Sequence, residues 1–390
     1  MKSFEDIGKY WWFNIPGPKA VAEAIIEGIK SGKHVFLISF SDLPWRTVLR
    51  NEIALRCAST LIPEQVDAGD LDAPNKLISE FFIEKYGDHN TQMEFREIEE
   101  ERGIKYLKKK GVIDNKLIWV KGMSEADYYK WDKFCRIHAI KNPSQGICIL
   151  ETTFNNMPQL PKHIKKIDIK RMISPFDTLS FCGIIVSSIE SETNIAWKEY
   201  ISNLTALLFT RDAEMALDYI QETDFREKGP IEALKDMCKN KDEIIGSKRE
   251  EKDTHPFYLI RNNEMKELEH RVWIAQLKVA FPIIQERQYH YADSNRENLQ
   301  ETIKRAKEEG TQIRNSHGDI INDPYDIELG LMLHLEGQVF GSGHKPFKLT
   351  PNEKEEIRFL WDIRNKLAHM ELCTPKDMGQ LFKLKSFAGL

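Results

Sequence analysis

Two rhythms of apolar and polar positions divide this chain. Through the first half, short and nearly continuous apolar runs alternate with stretches of helical period. Residues 33–40 (KHVFLISF), 65–68, 117–121 (LIWVK), 146–152 (GICILET) and 165–170 read as strands, separated by helical segments predicted over 20–30, 44–59, 73–86, 126–139 and 175–190. Strands without in-and-out alternation are buried on both faces, and helices between consecutive strands provide parallel crossovers. The pattern therefore predicts an α/β unit built on a parallel sheet covered on both sides.

Beyond about residue 190 only helical periodicity remains. Residues 265–289 read as one long helix with Leu268, Val272, Ala275, Leu277, Val279 and Phe281 on its apolar face, which Pro282 is expected to end or kink. A polar helix follows over 294–314, Asn315 to Asp319 form a loop, and Asp323 or Pro324 opens a third helix carrying Ile327, Leu331 and Leu335. Thr350-Pro351-Asn352-Glu353 is a capping-box start for a fourth. The predicted organisation is an α/β domain over residues 1–190, a helical lid or linker over 191–255 and a four-helix bundle over 256–390.

The fourth bundle helix carries the candidate chemistry. At about 100° per residue, Ile357, Leu360, Ile363, Leu367 and Met370 fall within about 80° of one line and form a core stripe. Asn365 and His369 lie nearly opposite it, one turn apart, with Arg364 on the flank. Trp361, Ala368 and Leu372 make a thinner apolar stripe beside them, as an interface would. Arg364-Asn365-Lys366-Leu367-Ala368-His369 resembles the Arg-x4-His signature of the HEPN family, with a polar residue directly after the arginine. HEPN domains are four-helix domains that commonly dimerise and place two copies of the motif in one cleft; the resemblance covers the last third of the chain.

That resemblance implies a metal-independent endoribonuclease in a defence or toxin-like system. His369 would move protons near neutral pH, Arg364 would stabilise charge growing on a phosphate, and Asn365 would orient the imidazole or hold a phosphate oxygen. It implies RNA as substrate, a homodimer formed through Trp361, Ala368 and Leu372, and neither cofactor nor metal. Many HEPN domains are non-catalytic, so a dimerisation scaffold stands as the alternative.

The first half resembles a P-loop NTPase fold of the AAA or STAND type, but departs from it where the nucleotide chemistry belongs. Ser41-Asp42-Leu43-Pro44-Trp45-Arg46-Thr47 has no glycine to shape a phosphate nest and no Lys-Ser/Thr pair, and Asp42 brings negative charge. Lys121 follows the strand after which a magnesium-binding acid is expected, leaving Glu151 as the only acidic substitute. An inactive domain that docks or senses a protein partner is the expectation.

Composition narrows the picture. A net charge of -5 over 390 residues argues against coating nucleic acid by bulk electrostatics. The basic runs at 105–110, 162–171 and 304–314 read mainly as solvated faces. Cys57, Cys135, Cys148, Cys182, Cys238 and Cys373 form no C-x-x-C pair, and His34, His138 and His255 stand apart, so reduced thiols with neither disulfide frame nor zinc site are expected. Trp11-Trp12 reads as a core anchor, Tyr289-His290-Tyr291 as packing, and Glu286-Arg287 as a possible support for the motif. No apolar leader opens the chain and no run approaches the roughly 18 residues of a membrane span, which predicts a cytoplasmic protein.

Overall fold

A computed structural model describes residues 4–39, 43–57, 61–71, 76–140, 143–153, 164–189, 194–240, 255–341, 343 and 345–384. The chain divides into two compact units, one of Met1–Ser188, Phe209–Asp218 and Lys241–Tyr258, the other of Ile189–Leu208, Tyr219–Asn240 and Leu259–Leu390.

The first unit is built on β1 (His34–Ile38), β2 (Ile62–Asp67), β3 (Lys116–Lys121), β4 (Ile147–Thr152) and β5 (Ile164–Asp168). They form a parallel sheet in the order β2-β3-β4-β1-β5. Every residue of β1 and β4 is buried, which is why HVFLI and ICILET show no polar alternation. The parallel sheet expected from the sequence is present; Phe40, in the first predicted strand, lies outside the described residues.

Helices α1 (Phe4–Asn14), α2 (Pro16–Lys30) and α3 (Arg46–Cys57) pack on one another, and α4 (Ile78–Tyr86), α6 (Glu100–Lys110) and α7 (Glu125–Ile137) form a second group, with α5 (His89–Glu94) beside α4. With the right-handed crossovers that parallel sheets favour, α3, on the way from β1 out to β2, is expected on one face and the helices of the return path through β3 to β4 on the other. Trp11 and Trp12 are fully buried; Trp12 Nε1 donates to the Pro44 carbonyl at 2.7 Å and Trp11 meets Phe181 edge-on. The basic end of α6 is engaged: Lys105 pairs with Glu101, Lys110 with Glu94, and Lys108 donates to the Ala139 carbonyl. After β5 come α8 (Ile169–Met172) and α9 (Pro175–Ile189).

The second unit contains α10 (Ile195–Phe209) up to Leu208 and α12 (Pro230–Asn240); α11 (Ala213–Glu222) and α13 (Pro256–Arg261) are shared between the units. It continues with α14 (Met265–Ser294), α15 (Arg296–Glu308), α16 (Leu329–Leu335), α17 (Pro351–Ala368) and α18 (Pro375–Lys383). Among its described residues it holds helices and no strand, with an isolated antiparallel bridge between Arg314 and Ile320. No described helix of either unit is long and apolar enough to cross a membrane.

Four local expectations are corrected here. Helix α14 does not end at Pro282 but runs 30 residues through it. Lys278, Phe281 and Pro282 all face solvent, so water can satisfy the carbonyl that the missing N–H leaves open. Phe281 is therefore 42% exposed rather than core. Asp323-Pro324 opens only a 3-10 turn, Pro324–Asp326, and α16 begins after Glu328. Met370 is 58% exposed, because α17 stops two residues before it and the 100° extrapolation fails past a helix end. Finally, Thr374-Pro375-Lys376-Asp377 forms a further capping box and starts α18, a helix beyond the four expected.

Candidate functional site

The position of the Arg-x4-His segment follows from how α17 is held. Thr350 and Glu353 close the capping box at its start. Ile357, Leu360, Ile363 and Leu367 are each no more than 1% exposed, so the stripe facing the core is set. At the other end His369 is the C-cap, Met370 adopts φ +60°, and the amides of Met370 and Glu371 donate to the carbonyls of Leu367 and Lys366. That is a Schellman closure, with methionine at the left-handed position where glycine is usual. Trp273 Nε1 on α14 also donates to the Leu367 carbonyl at 2.8 Å, giving that acceptor of the last turn a partner from a neighbouring helix. Gln276 grips the segment that follows, donating to the Cys373 carbonyl and accepting from its amide.

Given that anchoring, the motif residues separate. Arg364 is half-buried and Arg364 Nη2 lies 3.5 Å from Glu328 Oε2, a loose pair whose side chains are 32% and 29% exposed. Both line a cleft of about 390 Å³, walled by Trp273, Leu277, Phe281, Gln285 and Gln288 of α14 and by Leu367 and Ala368 of α17. Leu277 and Phe281, expected in the core, are thus cleft wall. Asn365 and His369 lie outside the cleft lining, Asn365 half-buried and His369 exposed. Neither makes a side-chain hydrogen bond or ion pair among the described residues, so within one chain Asn365 does not bond to the imidazole.

The apolar flank is partly used within the chain. Trp361 is 38% exposed and packs over Gly330, where an added Cβ would come within 2.7 Å of Trp361 Nε1. Ala368 is exposed and Leu372 half-buried. Behind the motif, buried Arg287 of α14 forms an ion pair with Glu356 of α17 at 3.1 Å, bracing the helix from the core side. Tyr289 stacks on Tyr325.

The first unit has its own candidate location. β1 leads by α3 to one edge of the sheet while β4 leads to β5 on the other side of β1, so the crossovers diverge at the carboxyl ends of β1 and β4. In open α/β sheets, ligands bind at such a switch point. Here it holds side chains of the protein itself. Arg46, the first residue of α3, donates from Nε and Nη2 to the two carboxylate oxygens of Glu151 at 2.7 Å each, and Trp119 Nε1 donates to the same carboxylate at 2.8 Å. The Arg46 and Glu151 side chains are 11% and 7% exposed. Trp45, at φ +47°, is held by a bond from its amide to Glu214. Glu151, the one acidic substitute noted for magnesium, is thereby committed to a guanidinium. Ser41 and Asp42 lie outside the described residues.

Two of the three histidines that stand apart in sequence, His34 and His138, are brought together. His34 and His138 have ring centroids 5.6 Å apart, His34 lies beside the thiols of Cys135 and Cys148, and all four residues are fully buried. Burial, helped by the nearby Lys108 charge, pushes the His138 pKa down to about 4. Only Cys135-x-x-His138 is a local signal; the other two residues arrive through the sheet. Compared with known proteins, the chain matches no family model and no curated protein.

Proposed function

We propose that this chain is a metal-independent endoribonuclease of HEPN type, with Arg364, Asn365 and His369 acting across a homodimer. The observation that carries this reading is the burial of Ile357, Leu360, Ile363 and Leu367, which turns Asn365 and His369 outward with no side-chain partner among the described residues while Arg364 stands in an open cleft. In the proposed reaction a ribose 2′-oxygen attacks the adjacent phosphorus and the bond to the 5′-oxygen breaks. One imidazole takes the 2′-OH proton and another returns a proton to the departing 5′-oxygen, leaving a 2′,3′-cyclic phosphate and a 5′-OH. Arg364 pairs with the non-bridging oxygens as charge grows there. Because Arg364 faces the cleft and His369 lies outside it, two motifs related by a two-fold axis serve one phosphate better than a single copy does.

In this reading α14 to α17 correspond to the four helices of the HEPN bundle, with α18 appended. The first unit is an inactive P-loop-like domain that docks a protein partner, supported by its parallel sheet and by the Arg46–Glu151 pair at the switch point. A scaffold without catalysis is the second reading. It is favoured by the Arg364–Glu328 contact, which engages the guanidinium that a phosphate requires. An assay on single-stranded RNA in EDTA separates the two. Cleavage that leaves cyclic phosphate ends, with His369→Ala losing the roughly 10²–10⁴-fold typical of proton transfer, supports the nuclease; a His369→Ala variant that matches wild type leaves the scaffold.

A further inference from the structure

We propose that His34, Cys135 and Cys148, with His138 as fourth ligand, form a closed structural site for a thiophilic divalent cation, zinc being the best fit. The four residues come from three elements. His34 opens β1, and the parallel register that sets Val35 beside Ile149 places it next to Cys148 on β4. Helix α7 packs against β4 and brings Cys135, with His138 one turn further on as the C-cap. One ligand atom from each of His34, Cys135 and Cys148 lies within 4.8 Å of the others. Tetrahedral zinc with bonds of about 2.3 Å to sulfur and 2.0 Å to nitrogen sets its ligand atoms about 3.5 Å apart, so the three need close in by about 1 Å.

His138 supplies the second, independent observation. Both of its ring nitrogens are buried without a hydrogen-bond partner, and a fully buried imidazole left in that state is unfavourable unless something binds it. Two imidazoles on one tetrahedral ion have centroids roughly 5 Å apart, close to the 5.6 Å between His34 and His138. Packing alone explains a stacked ring on Phe134, at 5.4 Å and 8°, but not two orphaned ring nitrogens this close to His34. Charge balance also fits a buried ion. Each thiol loses its proton to solvent on binding, and two thiolates offset the 2+ charge, so the filled centre is neutral and suits the apolar core around it. Ligation through His34 Nδ1 would displace the bond it now accepts from the Cys148 amide at 3.0 Å, leaving that N–H beside the newly charged sulfurs.

The test uses the full chain. Elemental analysis of protein expressed in zinc-supplemented medium should give close to one zinc per chain. After chelation, added cobalt should produce the intense visible bands of a tetrahedral ion and a thiolate-to-cobalt charge-transfer band. Cys135→Ser should reduce the charge-transfer band, His138→Ala should shift the visible bands, and Cys182→Ser, a buried thiol elsewhere in the unit, should leave both unchanged. Substoichiometric metal together with no cobalt bands in wild-type protein would overturn the proposal whether or not the variants fold. So would a mass two hydrogens lighter without reductant, assigned to a Cys135–Cys148 disulfide.

Discussion

Arg46 and Glu151 meet through two hydrogen bonds of 2.7 Å at the carboxyl ends of β1 and β4. A buried guanidinium and carboxylate each lose hydration that their pairing offsets, so removing one partner typically costs about 3–5 kcal/mol. Glu151→Ala should lower stability by an amount of that order, read as a lower urea midpoint, since Trp119 Nε1 also loses its acceptor.

The same pair predicts a binding result. With Glu151 committed and neither glycine nor lysine in the sequence from Ser41 to Thr47, the residue types that cradle a triphosphate are missing there. Calorimetry with ATP and magnesium should show no tight binding, and micromolar affinity would contradict the inactive-domain reading.

Gly330 and Trp361 yield a prediction whose sign depends on background. Alanine improves helix propensity by about 1 kcal/mol, yet its Cβ would lie 2.7 Å from Trp361 Nε1, and overpacking typically costs about 1–3 kcal/mol. Gly330→Ala alone should therefore lower the melting temperature, whereas the same change combined with Trp361→Ala should raise it relative to Trp361→Ala. Equal effects in both backgrounds would mean that the contact carries no energy.

What could be read from sequence depended on whether the signal was local. Residues 146–152 announced β4 because a strand buried on both faces must be apolar throughout, and Thr350 to Glu353 announced α17 because a capping box is four adjacent residues. The same four-residue pattern at Thr374 to Asp377 is equally local and starts α18. Met370 was misplaced because a left-handed residue after His369 ends the helical count. Arg46 reaching Glu151, and His34 reaching His138 and the two thiols, were not legible, since each pair is joined only by strand order. Orientation of the Arg-x4-His helix was therefore readable, while the partner of Arg364 was not.

Asp377 gives a pH dependence with a definite sign. Burial pushes its carboxyl up, but hydrogen bonds from Lys366 and from the Thr374 amide and hydroxyl outweigh that and hold it below its ordinary value. A depressed folded-state pKa contributes stability that is present above the unfolded value, near 3.9, and is lost as pH falls through the folded one. The protection factors of α18 amides, which are exchange rates corrected for the intrinsic pH dependence, should fall below about pH 4, and Asp377→Asn should lower them at neutral pH and lose most of that acid response.

Glu328 provides the sharpest separation between the two functional readings. Its carboxylate meets Arg364 through one oxygen at 3.5 Å and accepts from Ser316 through the other at 3.3 Å. Both members of the ion pair are partly exposed, so its contribution to stability should be small, within about 1 kcal/mol. Glu328→Gln keeps the shape and removes the charge that competes with a phosphate for the guanidinium. If the cleft holds RNA, this variant should bind a single-stranded oligonucleotide several-fold more tightly in fluorescence anisotropy, most visibly at low salt, where phosphate contacts are strongest. Adding Arg364→Ala should cancel the gain, because the released guanidinium is its source. Cleavage by Glu328→Gln should persist in EDTA and still require His369. If RNA affinity is instead unchanged while self-association weakens, the Arg364–Glu328 pair shapes a dimer surface and the scaffold reading prevails.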